Sequence, residues 1–379
     1  MHVGVDLLFL VPGETGGRET YARELLTALR RVRPELRLTA FLNRETAAAG
    51  DGFWSEQVDR AVVLPQASGR ARGRWAAGEL VGVARAAARE RVDVLHGAGN
   101  FAPLHGRFAR VLTLHDVLWR ELPELMAPPL RWATEALVTP AARRATRVLT
   151  GSDASRRAIV ERLRVAAERV VTTPYGLGSL PAPGDAARAR TAIALDGRPL
   201  ALAVATSLPH KNLPLLLDGL ATLPEPERPV LAFAGHGTDR GALPARVREL
   251  GLESDVRLLG ATAAAQLEDL WAAAALFLTP TRHEGFGLPV LEAMARGVPV
   301  ACSDIPVLRE VAGDEAALWL DPTDPGTVAT AMRALMAEGP DVERRRAAGR
   351  ERAARFTWDA TAEATAAVYE AAAAEAMRT

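Results

Sequence analysis

The alternation of short apolar runs with longer amphipathic stretches constrains the fold of this chain more than any other feature. Val3–Phe9 and Val111–His115 have the length and apolar content of buried strands, whereas Arg18–Val32 repeats its apolar residues with the period of a helix. Strands that alternate with helices predict parallel sheets whose crossover connections are right-handed. The chain is therefore expected to be an α/β protein.

The alternation falls into two blocks, with seven strands predicted before residue 175 and six after residue 199. Residues 181–197 lie between the blocks and show little periodicity in a segment rich in Pro, Gly, Ala and Arg, which is typical of a linker. A chain of 379 residues is also long for one hydrophobic core. The sequence therefore predicts two doubly wound parallel-sheet domains, residues 1–180 and 198–358, with ligands bound beyond the carboxyl ends of the strands.

The charge balance gives only weak information about partners. The formal net charge is zero, so no general attraction to nucleic acid is expected. Residues 1–175 carry 26 Arg against 19 Asp and Glu, a net of +7, which leaves −7 for the remainder. Such a basic first half is compatible with scattered solvated arginines, and it also leaves open an anionic acceptor or a weak peripheral contact with a membrane.

The cysteine content and the amino-terminal segment indicate a cytoplasmic protein. Cys302 is the only cysteine, which excludes a disulfide framework and fits a reducing compartment. Residues 1–11 are apolar but short, and His2 and Asp6 interrupt them, so they predict a buried strand rather than a signal peptide or a membrane span.

Lys211 stands out because the other 45 of the 46 basic residues are Arg. Lysine presents a compact point charge, whereas arginine presents a wide planar fork. In a composition that disfavours Lys, a single Lys indicates a site where Arg cannot replace it. The alternative is that this Lys is present by chance.

Residues 279–293 form the most informative segment, with the sequence TPTRHEGFGLPVLEA. A predicted strand ends, a Gly-rich loop follows, and a helix begins near Leu288. The glycines allow backbone N–H groups to approach a ligand, and the helix N-terminus favours phosphate or sugar hydroxyls. Glu284 lies in the loop and Glu292 about one turn into the helix, so both can face one ligand, although a loop with surface glutamates is the simpler alternative.

Three further segments lie at predicted strand ends. Pro12–Tyr21 carries adjacent glycines before the first helix, Ala205–Asn212 reads ATSLPHKN, and Leu112–Asp116 ends in a His-Asp pair. No spacing of histidines resembles a metal site. For His115, a satisfied structural histidine is the alternative to a functional one.

The string E-G-F-G-L-P-x-x-E-A, with its Glu-x7-Glu spacing, resembles the retaining glycosyltransferases of family 4. The resemblance extends over nearly the whole chain and is strongest over residues 200–325. It implies the GT-B fold, in which two Rossmann-like domains face each other across a cleft, and a tail helix, residues 359–379, that packs back on the first, acceptor-binding domain. It also implies transfer of a hexose-type sugar from a nucleoside diphosphate to a hydroxyl acceptor of a polysaccharide, glycolipid or natural product. Within the family, mannosyl- and rhamnosyltransferases with a T-x-H-D strand are most similar.

The resemblance also assigns roles to individual residues. Lys211 would neutralise the donor diphosphate, Glu284 and His115 would position the sugar, and these three would form the catalytic group. Ala205 and His210 depart from the family's G-T-x-x-P-R-K-N turn, in which Gly and Arg are usual. The donor-binding residues implied by the resemblance are Gly16, Gly17, Thr206, His210, Lys211, Gly235, Leu259, Glu284, Gly285, Phe286, Gly287, Leu288 and Glu292.

No metal or other cofactor is expected, because the sequence contains no Asp-x-Asp pair that would hold a metal on the diphosphate. Helix dipoles, backbone amides and Lys211 would then supply the positive charge. Two alternatives remain at this point. One is a nucleotide-sugar epimerase of the same architecture, and the other is an inactive sugar-nucleotide-binding protein.

Overall fold

The computed structural model describes residues 1–50, 52–178, 180–337 and 339–378. The chain forms two compact units. One comprises Met1–Gly178 together with the tail from Thr357 onward, and the other comprises the intervening segment up to Phe356. Each unit contains one parallel sheet with helices between its strands. The predicted α/β class, with two doubly wound parallel-sheet domains, is therefore confirmed.

The first unit is built on a seven-stranded sheet, in which every neighbouring pair of strands is parallel. Its central strands are buried because helices cover both faces, as parallel sheets require. The strands are β1 (His2–Asp6), β2 (Arg37–Leu42), β3 (Arg60–Val63), β4 (Val94–Gly97), β5 (Ala109–Thr113), β6 (Arg147–Thr150) and β7 (Val170–Thr172).

Nine α-helices are assigned within the described residues of this unit, and a π-helical turn (Gly78–Gly82) joins the fourth to the fifth. In chain order, the helices are α1 (Gly17–Val32), α2 (Arg44–Ala48), α3 (Phe53–Gln57), α4 (Arg72–Ala77), α5 (Val83–Glu90), α6 (Leu118–Glu121), α7 (Pro128–Arg144), α8 (Asp153–Leu163) and, at the end of the chain, α17 (Trp358–Ala376).

The second unit is built on a six-stranded parallel sheet. Its strands are β8 (Leu200–Val204), β9 (Val230–Ala234), β10 (Val256–Gly260), β11 (Ala274–Thr279), β12 (Val300–Ser303) and β13 (Ala317–Leu320). Its helices are α9 (Ala186–Ala192), α10 (Pro214–Ala221), α11 (Ala242–Glu249), α12 (Ala264–Ala273), α13 (Leu288–Ala295), α14 (Pro306–Ala316), α15 (Pro325–Met336) and α16 (Pro340–Ala353).

The segment predicted as a linker, residues 181–197, differs from that expectation because it contains helix α9. Asp185 caps this helix by accepting hydrogen bonds from Ala187 N and Arg188 N. Arg188 then forms an ion pair with the buried Asp269 of α12. The helix has 7 residues and buries Ala189, so it is too short to show clear apolar periodicity.

The tail helix α17 packs against the first unit. Thr357 caps it, and Tyr369 is fully buried. The hydroxyl of Tyr369 lies 2.7 Å from Nδ1 of His96 on β4, and Nε2 of His96 lies 2.7 Å from the hydroxyl of Thr113 on β5. Thr379, the last residue of the predicted tail helix, lies outside the described residues. Among the helices of the described chain, none combines the length and apolarity that crossing a membrane requires.

Each sheet has one topological switch point, where the order of strand addition reverses. The orders are β3-β2-β1-β4-β5-β6-β7 and β10-β9-β8-β11-β12-β13. The reversal lies between β1 and β4 in the first unit and between β8 and β11 in the second. Ligands of doubly wound sheets bind beyond the carboxyl ends of strands at such points. The loops that follow these four strands are therefore the first places to look for a site.

Candidate functional site

The loops after β8 and β11 are joined by an ion pair at the switch point of the second unit. Lys211 Nζ donates to Glu284 Oε1 at 2.6 Å, and the two side chains are 18% and 13% exposed. The loops are also joined through the backbone, because the carbonyl of His210 accepts from Arg282 N at 2.7 Å and from Thr281 Oγ1 at 3.0 Å. The structure thus brings together the predicted residues His210, Lys211 and Glu284.

Asn212 fixes the geometry of this junction, and the sequence analysis did not select it as a site residue. Its φ of 54° is left-handed, a conformation that Asn tolerates better than most residues. Its amide Nδ2 donates to the carbonyls of Pro280 and Pro322 at 3.1 and 2.9 Å. An Asn directly after Lys211 could have indicated this role from the sequence, because Asn readily adopts the left-handed conformation in tight turns.

The Gly-rich loop ends where α13 begins. Gly287 has φ +99°, and a Cβ at this position would lie 2.6 Å from Leu308 Cδ2, so both backbone and space require glycine. No side chain caps the helix, which starts at Leu288. Phe286 is buried with its ring edge-on to Phe356, whereas Gly285 keeps partial exposure. The predicted residues 285–288 therefore form a fixed backbone segment at a positive helix end.

Glu292 lies on α13 in a different charge environment from the Lys211–Glu284 pair. Burial raises the pKa of Glu292, the charge of Arg296 opposes this rise, and the charge of Glu268 adds to it. Arg296 itself forms an ion pair with Glu268 at 2.6 Å. Within the described chain, no hydrogen bond or ion pair connects Glu292 with Lys211 or Glu284. Glu292 and its charged neighbours are therefore separate from the Lys211–Glu284 pair.

Gly235 packs its Cα directly against the loop after β8. A Cβ at position 235 would lie 2.1 Å from the carbonyl oxygen of Ala205, and its φ is +140°. One residue further on, Ser207 N donates to His236 O at 3.0 Å. Thr206, which lies between Ala205 and Ser207, is partly exposed. The loops after β8 and β9 therefore lie side by side and bring Thr206 and Gly235 to the same edge of the sheet.

Leu259 lies on β10, the edge strand of the sheet. The pairing of β10 with β9 is irregular between Leu258 and Gly260, so Leu259 is the extra residue of a bulge. Bulges redirect side chains, and they are frequent next to binding sites. Leu259 is partly buried. The structure does not bring it into contact with the Lys211–Glu284 pair.

In the first unit, Gly16 and Gly17 form the start of α1. Gly16 has φ +65°, and no side chain caps the helix at this residue. A Cβ built on either glycine would have no other heavy atom within 4 Å, and both residues are exposed. The N-terminus of α1 therefore faces open space at the switch point of this sheet.

His115 is buried, and both of its ring nitrogens are hydrogen-bonded within the first unit. Nε2 lies 3.0 Å from the carbonyl oxygen of Ala98, and Nδ1 lies 2.6 Å from the hydroxyl of Tyr175. Because a carbonyl only accepts, Nε2 carries the proton and Nδ1 accepts from Tyr175. Burial lowers the pKa of His115 to about 4. A hydrogen bond between this ring and a sugar would require one of these two hydrogen bonds to break first.

The ring of His115 is therefore oriented by Tyr175 and Ala98 rather than by its sequence neighbour Asp116. Asp116 Oδ1 accepts from Leu118 N at 2.9 Å. Tyr175 lies 60 positions from His115, and no sequence signal connected the two. Asn100 also supports this region, since its side chain accepts from His115 N at 2.7 Å.

Among the described residues, no group of three His, Cys, Asp or Glu side chains is arranged to hold a metal ion. The metal independence of the reaction stays a prediction.

Each of the two units matches a known protein family. Residues 186–352 match the family described as Glycosyl transferases group 1, and residues 15–177 match Glycosyltransferase Family 4. Together the two matches span most of both compact units.

Two relatives and one solved structure illustrate the similarity. O-antigen chain mannosyltransferase B of Escherichia coli is 32% identical over 279 residues, which are 72% of this chain and 73% of that protein. MMP alpha-(1->4)-mannosyltransferase of Mycolicibacterium hassiacum is 29% identical over 297 residues, 73% of this chain and 70% of that protein. The structure of Anabaena Alr3699/HepE in complex with UDP and glucose has a TM-score of 0.77 at 20% identity, over 98% of this chain and all of that one.

Proposed function

The chain belongs to the group 1 glycosyltransferases, and on this premise we propose that it moves a hexose-type sugar from a nucleoside diphosphate to a hydroxyl acceptor. The proposal includes retention of the anomeric configuration and independence from a metal ion. The observation that carries it is the Lys211–Glu284 pair at the switch point of the second unit. An ammonium group at this point suits the negative charge that develops on a departing diphosphate.

The donor is proposed to bind to the second unit. Lys211 would contact the diphosphate, and the start of α13 at Gly287 and Leu288 would add its positive helix end. Glu284 would accept hydrogen bonds from the sugar after Lys211 turns toward the diphosphate. Glu292, which lies in a separate charge environment, would accept hydrogen bonds from the ribose hydroxyls.

The nucleotide would extend along the edge where Thr206 and Gly235 lie together. Gly235 has no side chain to obstruct a ligand, and its packing against Ala205 excludes any larger residue. The bulge at Leu259 would direct a partly buried apolar side chain toward the base. His210 would contribute mainly through its carbonyl, which holds the loop after β11.

The reaction is proposed to occur on one face of the sugar. The bond from the anomeric carbon to the phosphate oxygen breaks, and a bond from the same carbon to the acceptor oxygen forms on the same side. The proton of the acceptor hydroxyl passes to an oxygen of the leaving phosphate. Lys211 lowers the barrier by neutralising this leaving group, and no other acid or base is needed.

The first unit is proposed to bind the acceptor. The amides at the start of α1, after Gly16 and Gly17, would face the acceptor. His115 would act as a neutral positioning group, because its low pKa keeps its ring uncharged near neutrality. Two of the relatives are named as mannosyltransferases, which favours a mannosyl donor.

Donor binding and turnover test the proposal directly. The shift in melting temperature with UDP, GDP, dTDP and ADP identifies the base, and the matching sugar nucleotides are then assayed for released diphosphate. We expect one nucleotide to stabilise the parent clearly and to stabilise Lys211→Ala much less. A parent that binds none of the four, or a variant that binds as well as the parent, would overturn the proposal.

A further inference from the structure

Arg18, near the start of helix α1 in the first unit, carries a partly buried guanidinium group. Its guanidinium lies 5.5 Å from the centre of the Phe9 ring. Across the described parts of the chain, no hydrogen bond or ion pair reaches it. Other partly buried arginines are paired, as Arg296 is with Glu268 and Arg246 is with Asp218. Withdrawing an unpaired cation from water is unfavourable unless another group compensates for it.

Arg18 lies where a ligand of this sheet is expected. It is the second residue of α1, directly after the exposed Gly16 and Gly17 and the open space above them. Phe9, which packs against its guanidinium, belongs to the loop after β1, one side of the switch point. The sixteen-residue helix α1 adds its positive end at the same place.

Glu19, the next residue of α1, is already paired, because its carboxylate accepts from Gly13 N and from Arg23 Nε. Burial lowers the pKa of Arg18, and the nearby charge of Asp116 opposes this shift. One oxygen of the Asp116 carboxylate, Oδ1, accepts a hydrogen bond from Leu118 N. His115 is also close, but burial lowers its pKa to about 4, so it carries no charge near neutrality.

We propose that Arg18, with the amides at the start of α1, binds an anionic group of the acceptor, a phosphate or a carboxylate, and so selects acceptors that carry one. A guanidinium presents parallel donors that fit both groups. The Phe9 ring lies near the guanidinium but offers it no hydrogen-bond acceptor, so its N–H groups are left for the ligand. The proposal rests on the proposed function, in which the first unit binds the acceptor, while Lys211 of the second unit serves the donor diphosphate.

The experiment measures anion binding with the donor site already filled. The full chain is saturated with the nucleoside diphosphate that it binds best, and methyl phosphate or acetate is then titrated by calorimetry. The two probes separate phosphate from carboxylate recognition. Arg18→Gln is compared with the parent and with Arg85→Gln, which removes the same charge from an exposed residue of α5 with no hydrogen bond or ion pair in the described chain.

Arg18→Gln should weaken binding of the preferred probe by about tenfold or more, since a charge-assisted contact is lost. Arg85→Gln should bind like the parent. Asp116→Asn should strengthen binding severalfold, because it removes repulsion while its side-chain oxygen can still accept from Leu118 N. Equal binding of both probes by Arg18→Gln and the parent, or no gain in Asp116→Asn, overturns the proposal.

The affinity for the nucleoside diphosphate separates this proposal from the proposed function. If Arg18→Gln weakens that affinity as Lys211→Ala does, Arg18 serves the donor and the acceptor proposal is wrong. A parent that binds no nucleoside diphosphate contradicts the proposed function itself. A parent that binds the nucleotide but neither anion contradicts only the role of Arg18.

Discussion

Lys211 Nζ donates a hydrogen bond to Glu284 Oε1 at 2.6 Å, although the two residues lie 73 positions apart in the chain. The loops that carry them follow β8 and β11, the two strands at the switch point of the second sheet. The pair places the only lysine of the chain at the point where a doubly wound sheet binds its ligand. Because a diphosphate carries more charge than one carboxylate, a bound donor should compete for Lys211.

Replacing Lys211 by Ala should lower kcat/KM for the donor by about 100-fold or more, the effect of removing one preorganised donor from a developing charge. Lys211→Arg should recover part of the activity, because it restores the charge but not the compact geometry. Released diphosphate under initial-rate conditions measures both variants.

The matched control for Lys211→Ala is Arg248→Ala. Arg248 is an exposed cation of α11 in the same unit, and its guanidinium forms no hydrogen bond or ion pair in the described chain. It should keep the parental kcat/KM. The melting temperatures of all variants are measured to test whether unfolding causes any loss of activity. Parental activity in Lys211→Ala would contradict the role assigned to the pair.

Glu292 should make donor binding sensitive to pH. Burial raises its pKa, so its carboxylate takes up a proton at a higher pH than an ordinary glutamate does. If the ionised form accepts from the ribose, KM for the donor should rise as the pH falls through the raised pKa of Glu292. Glu292→Gln should raise KM about tenfold and remove this dependence, which KM measured from pH 5.5 to 8.5 checks. An equally steep profile in the variant would exclude Glu292 as its cause.

Most of the fold could be predicted, since each of the thirteen strands coincides with an apolar run. β1 was nevertheless predicted to extend to Phe9, and it ends at Asp6. Asp6 Oδ1 accepts from Leu8 N and Leu10 N donates to Leu7 O, so the chain turns while it remains buried. Apolar content indicates burial, and it does not distinguish a buried strand from a buried turn.

The sequence predicted which loops form the site, but it did not predict the contacts between their residues. The residues around Lys211 and Glu284 follow strands that neighbour each other in the sheet, and local sequence shows that each belongs to a loop. The hydrogen bond from Tyr175 to His115 joins residues that are 60 positions apart in the sequence. Such contacts arise from tertiary packing, and local sequence patterns do not predict them.

His115 should contribute to acid sensitivity of the fold rather than to the pH dependence of the chemical step. Its folded pKa of about 4 lies below the usual value of 6.5. The unfolded state therefore takes up a proton first, and this contribution to stability is lost as the pH falls from about 6.5 through about 4. His115→Gln should be less stable than the parent at pH 8, with a difference that shrinks toward pH 5. Urea unfolding of the full chain measures this, and a constant difference would contradict it.

Activity should be insensitive to chelation. Lys211 and the positive end of α13 are proposed to supply the charge that a metal ion supplies in other transferases, and the sequence has no Asp-x-Asp pair. Incubation with EDTA followed by desalting should change kcat by less than about twofold, with or without added Mg²⁺ or Mn²⁺. Loss of activity that either cation restores would show that the reaction needs a metal.

Asp6 and Glu79 form a buried pair of carboxyl groups beneath the loop after β1. Each is almost completely buried, and their side chains interact with each other. Among the described residues, neither Asp6 Oδ2 nor Glu79 Oε2 has a hydrogen-bond donor. Burial raises the pKa of both groups, and the charge of Asp6 raises that of Glu79 further. One proton shared between these two oxygens would satisfy both of them.

Glu79→Gln should therefore stabilise the protein increasingly as the pH rises. A carboxyl group whose folded pKa is raised contributes stability at low pH, and this contribution is lost as the pH rises through the folded value, because the folded state then holds a buried charge. The amide of Gln keeps a hydrogen for Asp6 at every pH. The melting temperature of the variant should exceed that of the parent more at pH 9 than at pH 6. Glu56→Gln, an exposed change in the same unit, should show no such trend, and a pH-independent difference for Glu79→Gln would mean that the pair shares no proton.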